Sequence, residues 1–376
     1  MIVLRRSIVA LLLLCAAASL RASAGEVKLA RVPEGGLQPQ VVVGADKVVH
    51  LIYLTGKPNA AATNYVRSGD GGATWSRPLI VSDDNAPAIA TGTIRGPHLA
   101  VGSNGTVHVA WMASPKAMMY ARLPRGAERF DPPRNLVTTH AGLDGGGSVA
   151  ADNHGRVFVA WHAPASKPDG DEASRRVYLA TSSDDGRTFS AERAMFDPTG
   201  ACGCCGMRLF AANEALLCIY RGATETTHRS LFLLASRDSG ESFAGAELAP
   251  MELGVCLMST NAFAAAGGDA LVAWETLGKI SWGRVAPARG TSVERAIPAP
   301  GETKSQKHPS LAVSPAGDVL LAWTEGTKFG KGGSLAWQAY DSKGAAVGEV
   351  GRADGVPAHS LPAAFCNEQG DFIILY

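Results

Sequence analysis

Short apolar runs separated by clusters of turn-forming residues recur along almost the whole chain. In the stretch 308–326, the runs 310–313 and 319–323 flank the sequence Ser-Pro-Ala-Gly-Asp at 314–318. Pro, Gly and Asp between two β-rich runs predict a β-hairpin. Because two strands alone cannot bury both of their faces, this hairpin needs copies of itself to form a core.

The copies are marked by an aromatic residue near the end of the second strand. These markers are Tyr53, Trp111, Trp161, Tyr220, Trp274, Trp323 and Tyr376. Their spacing of about 50 to 60 residues is typical of propeller blades and too long for solenoid coils. The pattern predicts an all-β, single-domain β-propeller of four-stranded antiparallel blades, with seven blades by unit count and six as the alternative. Each marker is expected to pack between neighbouring blades.

The two ends of the chain are expected to meet in one blade. A lone strand at 26–32 precedes the first complete hairpin, and the hairpin at 361–376 ends the chain. A closed ring removes the free strand edges that an open array exposes. The propeller is therefore predicted to span 25–376, closed by its N-terminal strand.

Composition agrees with this architecture and excludes one class of partner. The chain of 376 residues has 43 Gly, 21 Pro and only 18% charged residues, which favours short strands and turns over long amphipathic helices. Its formal net charge of +1 gives no signal for binding a polyanion. Nucleic acid is therefore not an expected partner.

The N-terminus has the form of an export signal. Arg5 and Arg6 precede an apolar run at 8–20, which is followed by Ala22-Ser-Ala24. We expect cleavage after residue 24, a mature chain that begins near Gly25 and a secreted or periplasmic location. No later segment is long and apolar enough to span a bilayer, so no membrane span is expected after cleavage.

Three turns outside the repeated hairpins share a sharper signature, S-x-D-x-G-x-[ST]-[WF]. They occupy 68–75, 182–189 and 236–243. Asp and Ser side chains in such a turn bond to turn backbone, Gly takes a positive φ and the aromatic packs beneath. Asp70, Asp184 and Asp238 are therefore expected to be structural and to lie outside any active site.

These turns resemble the Asp-boxes, or BNR repeats, of sialidase-like β-propellers. Together with the hairpin repeats, the resemblance covers roughly 26–376. The superfamily includes glycosidases, lectin-like binders and proteins with no catalytic role, so the fold does not settle the function.

A functional site is expected where the loops that enter the first strands and leave the second strands surround the axis of the propeller. Polar and sulfur-containing residues are concentrated at these positions. The entering positions are Gln38, Arg95, His98, Asp144, 202–208, Cys256, Met258, Lys307, His308 and His359, and the exit positions are His162, Arg221, Glu275 and Glu325. Among them, His162 is expected to be an ordinary loop residue.

A sialidase-like hydrolase is one chemistry that the resemblance implies for this face. It requires three arginines that clamp a carboxylate, an acid, and a tyrosine nucleophile activated by Glu. Arg95, Arg208 and Arg221 are candidates for the clamp, Asp144 for the acid, and Glu275 or Glu325 for the tyrosine partner. The chain departs from the family because no tyrosine falls on this face and because Arg95-Gly-Pro97 stands in place of an Arg-Ile-Pro motif.

A thiol-rich stretch provides the second chemistry. Cys202, Cys204 and Cys205 lie within four residues, and thiolates suit a soft metal ion such as copper. Further candidate ligands are Cys256, Met258, His308 and His359. The alternatives are disulfides, for example with Cys256, or a reactive thiol, since an exported chain permits disulfides.

Cys218 and Cys366 lie inside strand runs and are expected to be small buried hydrophobes or to form one bridge.

The sequence favours a binding protein without classical sialidase catalysis. Its axial mouth, with a soft metal or a glycan as ligand, is assigned to Arg95, Asp144, Arg208, Cys256, His308 and His359. The alternative function is an exo-sialidase-like glycoside hydrolase that uses the arginine clamp and Asp/Glu acid–base groups.

Overall fold

The protein is a seven-bladed β-propeller. The computed structural model describes residues 25–82, 84–165, 171–212, 214–224, 227–252, 258–302 and 305–376. The predicted leader at 1–24 and Cys256 lie outside these residues. None of the helices in the described ranges has the length and apolar character needed to cross a bilayer.

The first strand, β1 (Val27–Ala30), belongs to the last blade. Blades one to three follow in chain order and each has four antiparallel strands. Blade one comprises β2 (Leu37–Val43), β3 (Val49–Lys57), β4 (Ala60–Ser68) and β5 (Leu79–Ile80). Blade two comprises β6 (His98–Val101), β7 (Val107–Ser114), β8 (Ala117–Leu123) and β9 (Arg134–Asn135). Blade three comprises β10 (Ser148–Ala151), β11 (Val157–Pro164), β12 (Arg175–Ser182) and β13 (Arg193–Ala194).

Blades four to seven complete the ring. Blade four comprises β14 (Gly200–Ala201), β15 (Arg208–Ala212), β16 (Ala215–Ala223), β17 (Leu231–Ser236) and β18 (Ala244–Ala249). Blade five comprises β19 (Ala262–Ala266), β20 (Asp269–Thr276), β21 (Lys279–Val285) and β22 (Ile297–Pro298). Blade six comprises β23 (Gln306–Val313), β24 (Val319–Glu325), β25 (Gly333–Tyr340) and β26 (Ala346–Val356), and blade seven has β27 (Ala363–Cys366), β28 (Phe372–Leu375) and β1. Short 3-10 helices lie at Pro33–Gly35, Glu172–Ser174 and Pro287–Arg289.

The first strands of successive blades contact one another around the whole ring. The contacts run from β2 to β6, β10, β15, β19, β23 and β27, and then from β27 back to β2. A closed circuit of seven innermost strands confirms seven blades and makes the alternative of six wrong.

The two chain ends lie in blade seven. Strand β1 runs parallel to β28, with Val27 opposite Phe372 and Ala30 opposite Leu375. Lys28 Nζ lies 2.7 Å from an Asp371 carboxylate oxygen, which adds an ion pair to this closure. Blade seven therefore has three strands rather than the predicted four, and one of its pairings is parallel because its outer strand comes from the opposite end of the chain.

The apolar core consists of seven clusters, each between two neighbouring blades, and each cluster contains one of the seven marker aromatics. Trp111, Trp161 and Trp323 are completely buried. The prediction that these rings pack between blades is confirmed. Removing such a ring by substitution with alanine typically costs about 3 to 5 kcal/mol.

The three turns with the shared signature have the predicted hydrogen bonding. In the first, the Ser68 hydroxyl accepts from Gly72 N at 2.8 Å, and Asp70 Oδ1 accepts from Thr74 N at 2.9 Å. The other two turns repeat this pattern around Asp184 and Asp238. Hydrogen bonds from Thr74 and Ser68 lower the pKa of Asp70 to about 2. Each of these carboxylates accepts three hydrogen bonds within its own turn.

Candidate functional site at the axial mouth

The backbone is strained where the chain enters the axial mouth. Five residues at the start of first strands have positive φ without being glycine, a conformation that costs an ordinary residue about 1 to 2 kcal/mol. They are Gln38 (50°), Thr93 (68°), Met258 (45°), His308 (53°) and His359 (61°). They serve blades one, two, five, six and seven, so the strain is a repeated property of this face. Such clustering motivates a functional hypothesis for the mouth.

The thiol-rich stretch is a large bulge in the innermost strand of blade four. Strand β14 ends where Ala201 pairs with Gly222, and β15 begins where Arg208 pairs with Ile219. Residues 202–207 therefore lie opposite only two residues of β16. A bulge of this kind redirects side chains away from the sheet. It places the cysteines at the axial end of the blade.

The bulge brings three sulfur atoms together. The Sγ atoms of Cys202, Cys204 and Cys205 all lie within 4.8 Å of one another. Cys202 and Cys204 are 3.4 Å apart, well beyond the length of about 2.05 Å of a disulfide bond. Two sulfurs that bind one ion at about 2.3 Å each are about 3.8 to 4.0 Å apart. The separation of Cys202 and Cys204 is slightly shorter than that value, and none of the three separations exceeds 4.8 Å.

Neighbouring blades fix the bulge. Cys202 N donates to Arg221 O at 2.8 Å, and Gly206 N donates to Ser259 O at 3.0 Å. Gly203 N donates to the Glu172 carboxylate. Gly203 allows a close approach, because a Cβ there would lie 3.2 Å from both the Glu172 carboxylate and the Arg175 guanidinium. Groups from blades three, four and five therefore hold the three thiols.

Cys202 is a protonated thiol. Its hydrogen bond with Cys204 favours the thiolate, but its contact with Cys205 and its burial outweigh this bond and raise the pKa of Cys202 above the ordinary value. Only Cys204 is partly exposed, while Cys202 and Cys205 are about 95% buried, at 4% and 5% exposure. A cation that binds here has to displace a proton from Cys202.

Two neutral histidines lie beside the bulge. His162 is 1% exposed, and neither ring nitrogen has a hydrogen-bond partner in the described part of the chain. A Cβ on Gly145 would lie 2.7 Å from both His162 Nε2 and Gly203 O, so the imidazole faces the bulge. Burial lowers the pKa of His162 to about 4 and that of His308 to about 3. Neutral imidazoles are competent metal ligands.

His162 is not the loop residue expected from the sequence, because it lies in β11 directly after the marker Trp161. Its place immediately after a marker aromatic, at an exit position, was the available signal.

The other predicted soft ligands take separate positions. Neither the His308 nor the His359 imidazole lies within 4.8 Å of all three sulfurs. His359 Nδ1 accepts from Gly92 N at 3.2 Å, and the Met258 methyl group packs against the same glycine. Cys218 and Cys366 are free thiols in different blades, so they form no bridge with each other.

Two of the three candidate clamp arginines are neutralised by carboxylates. Arg95 Nη2 lies 2.6 Å from Asp144 Oδ1. Arg221 Nη2 lies 3.0 Å from Glu275 Oε2, and both side chains are almost completely buried. Burial raises the pKa of Glu275, although Arg221 opposes this effect. These contacts leave little of either guanidinium for a substrate carboxylate.

The third arginine lies in the axial channel. Arg208 Nη1 donates to His98 Nδ1 at 2.8 Å, and its Nη2 donates to Gln40 Oε1 at 2.5 Å. No carboxylate of the described residues pairs with it. The channel beside it holds a cavity of about 60 Å³ lined by residues from six of the seven blades.

No tyrosine of the described residues is activated as a nucleophile. The pKa is raised, chiefly by burial, for Tyr53, Tyr65, Tyr120, Tyr178, Tyr220 and Tyr340. Tyr53 donates to Glu34 at 3.1 Å, and no tyrosine lines the axial cavity. Glu325 accepts from Trp323 Nε1 at 3.1 Å and lies 3.4 Å from Arg352. The tyrosine–glutamate pair of a sialidase is therefore not assembled among these residues.

Known structures share the fold at low sequence identity. A Hadza microbial sialidase, Hz136, superposes with a TM-score of 0.53 and 14% identity, over 82% of this chain and 66% of its own. The α-L-arabinanase of Penicillium chrysogenum, complexed with arabinobiose, superposes with a TM-score of 0.52 and 15% identity, over 85% of this chain and 97% of its own. The Aleuria aurantia lectin, complexed with a fucosylated GlcNAc, superposes with a TM-score of 0.52 and 9% identity, over 86% of this chain and 97% of its own. At these identities the likeness establishes the propeller fold alone.

A scan against protein-family models and a search of curated proteins gave no match.

Proposed function

We propose that this protein is an exported β-propeller of the sialidase-like, Asp-box class that binds one soft metal ion, with Cu(I) as the leading candidate, at its axial mouth. Cys202, Cys204 and Cys205 are the ligands. The observation that carries the proposal is the convergence of three sulfur atoms within 4.8 Å on one bulge. Thiolate ligands select soft ions such as Cu(I) over hard cations.

The surroundings of the bulge support a metal site over a purely structural one. The bulge adds residues to an innermost strand that pairs regularly on both sides of it. His162 adds a neutral imidazole with no hydrogen-bond partner in the described residues, and its Nε2 faces the backbone of the bulge near Gly203. When bound, the ion would replace the thiol protons and tie the bulge together.

A glycoside hydrolase has less support. Its proposed acid, Asp144, is paired with Arg95, and its proposed tyrosine partner, Glu275, is buried against Arg221. The fold relatives include carbohydrate-active proteins, so a glycan remains the second ligand class for the mouth. Export and the Asp-box assignment belong to this proposal on the sequence signals at 1–24 and at the three turns.

Metal analysis of native protein tests the proposal. Protein purified without chelator should contain about one copper or other soft metal ion per chain by native mass spectrometry and elemental analysis. The variant Cys204→Ser/Cys205→Ser should lose it. The matched control is Cys366→Ser, which removes a partly buried free thiol in blade seven and should keep the metal.

Metal-free protein with its mouth cysteines in disulfides would overturn the metal site. Turnover of a fluorogenic sialoside that Arg95→Ala abolishes would instead establish the hydrolase.

A further inference from the structure

Arg208 is a partly buried cation that pairs with no carboxylate of the described residues. Burial lowers the pKa of Arg208 to about 10, a value at which it still carries its charge at neutral pH. Arg95 and Arg221, the other two arginines of the mouth, each have a carboxylate within 3.0 Å. Withdrawing a charge even partly from water without an opposite charge is costly, and an anion bound beside it offsets that cost.

The partners of Arg208 are both neutral, and the guanidinium fixes their orientation. A guanidinium only donates hydrogen bonds, so His98 Nδ1 is the acceptor and the neutral ring carries its proton on Nε2. By the same reasoning, Gln40 presents its carbonyl oxygen to Arg208 and turns its amide NH₂ away.

These orientations leave an excess of donors around the channel. Neither His98 Nε2 nor the Gln40 amide nitrogen makes a hydrogen bond within the described ranges of the chain. Arg208 uses two of its five N–H groups. Water can accept from such donors but cannot neutralise the charge. An anion does both.

The size of the cavity limits the anion. Gln40, His98 and Arg208 all border the space of about 60 Å³ in the channel. One water needs at least about 10 to 15 Å³, and a cavity that accepts benzene measures about 150 Å³. The channel therefore has room for a halide or formate but not for a sugar ring.

We propose that the axial channel binds one small monovalent anion, such as chloride or formate, at the guanidinium of Arg208. The anion accepts from Arg208 of blade four, whose other hydrogen bonds reach Gln40 of blade one and His98 of blade two, and so stabilises the closed ring. This site is independent of the metal site on the bulge.

The first test is chemical unfolding at constant ionic strength, with chloride replacing gluconate, an anion too large for the cavity. Above the dissociation constant, the unfolding constant of the wild type should fall about tenfold for each tenfold rise in chloride. Formate should act like chloride. Arg208→Met should remove this dependence, while the exposed control Arg129→Gln should retain it.

Equal chloride dependence in the wild type and Arg208→Met would overturn the proposal, as would an equal effect of sulfate. A second measurement covers the case in which Arg208→Met does not fold. Crystals of the wild type grown in bromide should show one anomalous peak within hydrogen-bond distance of Arg208. No bromide at that position would also overturn it.

Discussion

The three Asp turns and the axial mouth are both rich in polar groups, yet they satisfy them in opposite ways. In the turn around Asp184, the carboxylate accepts from Thr188 N, the Thr188 hydroxyl and the Ser182 hydroxyl, all within four residues. At the mouth, Arg221 reaches Glu275, which lies 54 residues away in the next blade. Local pairing makes a turn self-sufficient, whereas pairing between blades makes the mouth depend on the closed ring.

The two regions also differ in how many polar groups keep unused hydrogen-bonding capacity. Each Asp-turn carboxylate accepts three hydrogen bonds from within its own turn, as Asp70 does. In the described residues, the mouth keeps a histidine with two unpartnered nitrogens and an arginine without a carboxylate. Polar groups that are paired within their own turn stabilise the fold, whereas unpaired polar groups are available to a ligand.

The largest expected effect comes from the ion pair between blades. Glu275→Ala leaves the Arg221 charge buried and unpaired, and we expect the free energy of unfolding to fall by about 3 to 5 kcal/mol. Urea denaturation measures it. The exposed control Glu349→Ala should change stability by less than about 0.5 kcal/mol. The double variant Arg221→Met/Glu275→Leu should recover most of the loss, because no charge stays buried. If Glu275→Ala lowers the free energy of unfolding no more than Glu349→Ala does, the mouth does not depend on this ion pair between blades.

Metal binding at the bulge should depend strongly on pH. Because the pKa of Cys202 is raised, its thiol is protonated at neutral pH and must lose its proton to bind. The apparent affinity should therefore fall about tenfold per pH unit for each proton released as pH is lowered from 8 to 6. Competition with a chromophoric Cu(I) chelator measures this slope, and Cys366→Ser should share it. An affinity that does not change with pH would argue against thiol ligands.

The Asp turns should instead govern stability in acid. Hydrogen bonds hold the pKa of Asp70 and Asp238 at about 2, below the value of about 3.9 in an unfolded chain. Their contribution is present above pH 4 and is lost as pH falls towards 2. Substituting all three turn Asp residues by Asn should flatten the pH dependence of the urea midpoint in this window. Asp84→Asn, on an exposed turn, should leave it unchanged, and equal slopes in both variants would contradict the prediction.

The smallest expected effect tests the strain at the mouth. Thr93 is β-branched and has a φ of 68°, where asparagine is tolerated far better. Thr93→Asn should therefore stabilise the protein by up to about 1 kcal/mol. Thr139→Asn, at an exposed position without positive φ, should give no gain in thermal unfolding. A loss of stability at Thr93 would show that its methyl or hydroxyl group matters more than its backbone conformation.

The sequence by itself indicated the propeller and seven repeated units, with six blades as the alternative. The marker aromatics and the Asp turns are local signals that repeat, so their spacing gives the blade count, and each turn forms from its own eight residues. The closed circuit of first strands shows that the alternative of six blades is wrong. The sequence led us to expect the N-terminal strand in the last blade, but only the structure decided that this blade has three strands in the described residues and that one pairing is parallel.

The sequence indicates which residues belong to the site, but not how they are arranged. Sequence reasoning named the cysteines and the three arginines, but not the sulfur separations, the carboxylate partners of Arg95 and Arg221, or the place of His162 beside the bulge. Those facts depend on which loops from different blades meet at the axis. Contacts between blades, such as those of Arg95 with Asp144 and of Arg221 with Glu275, are fixed by ring closure and packing, and no local pattern encodes them.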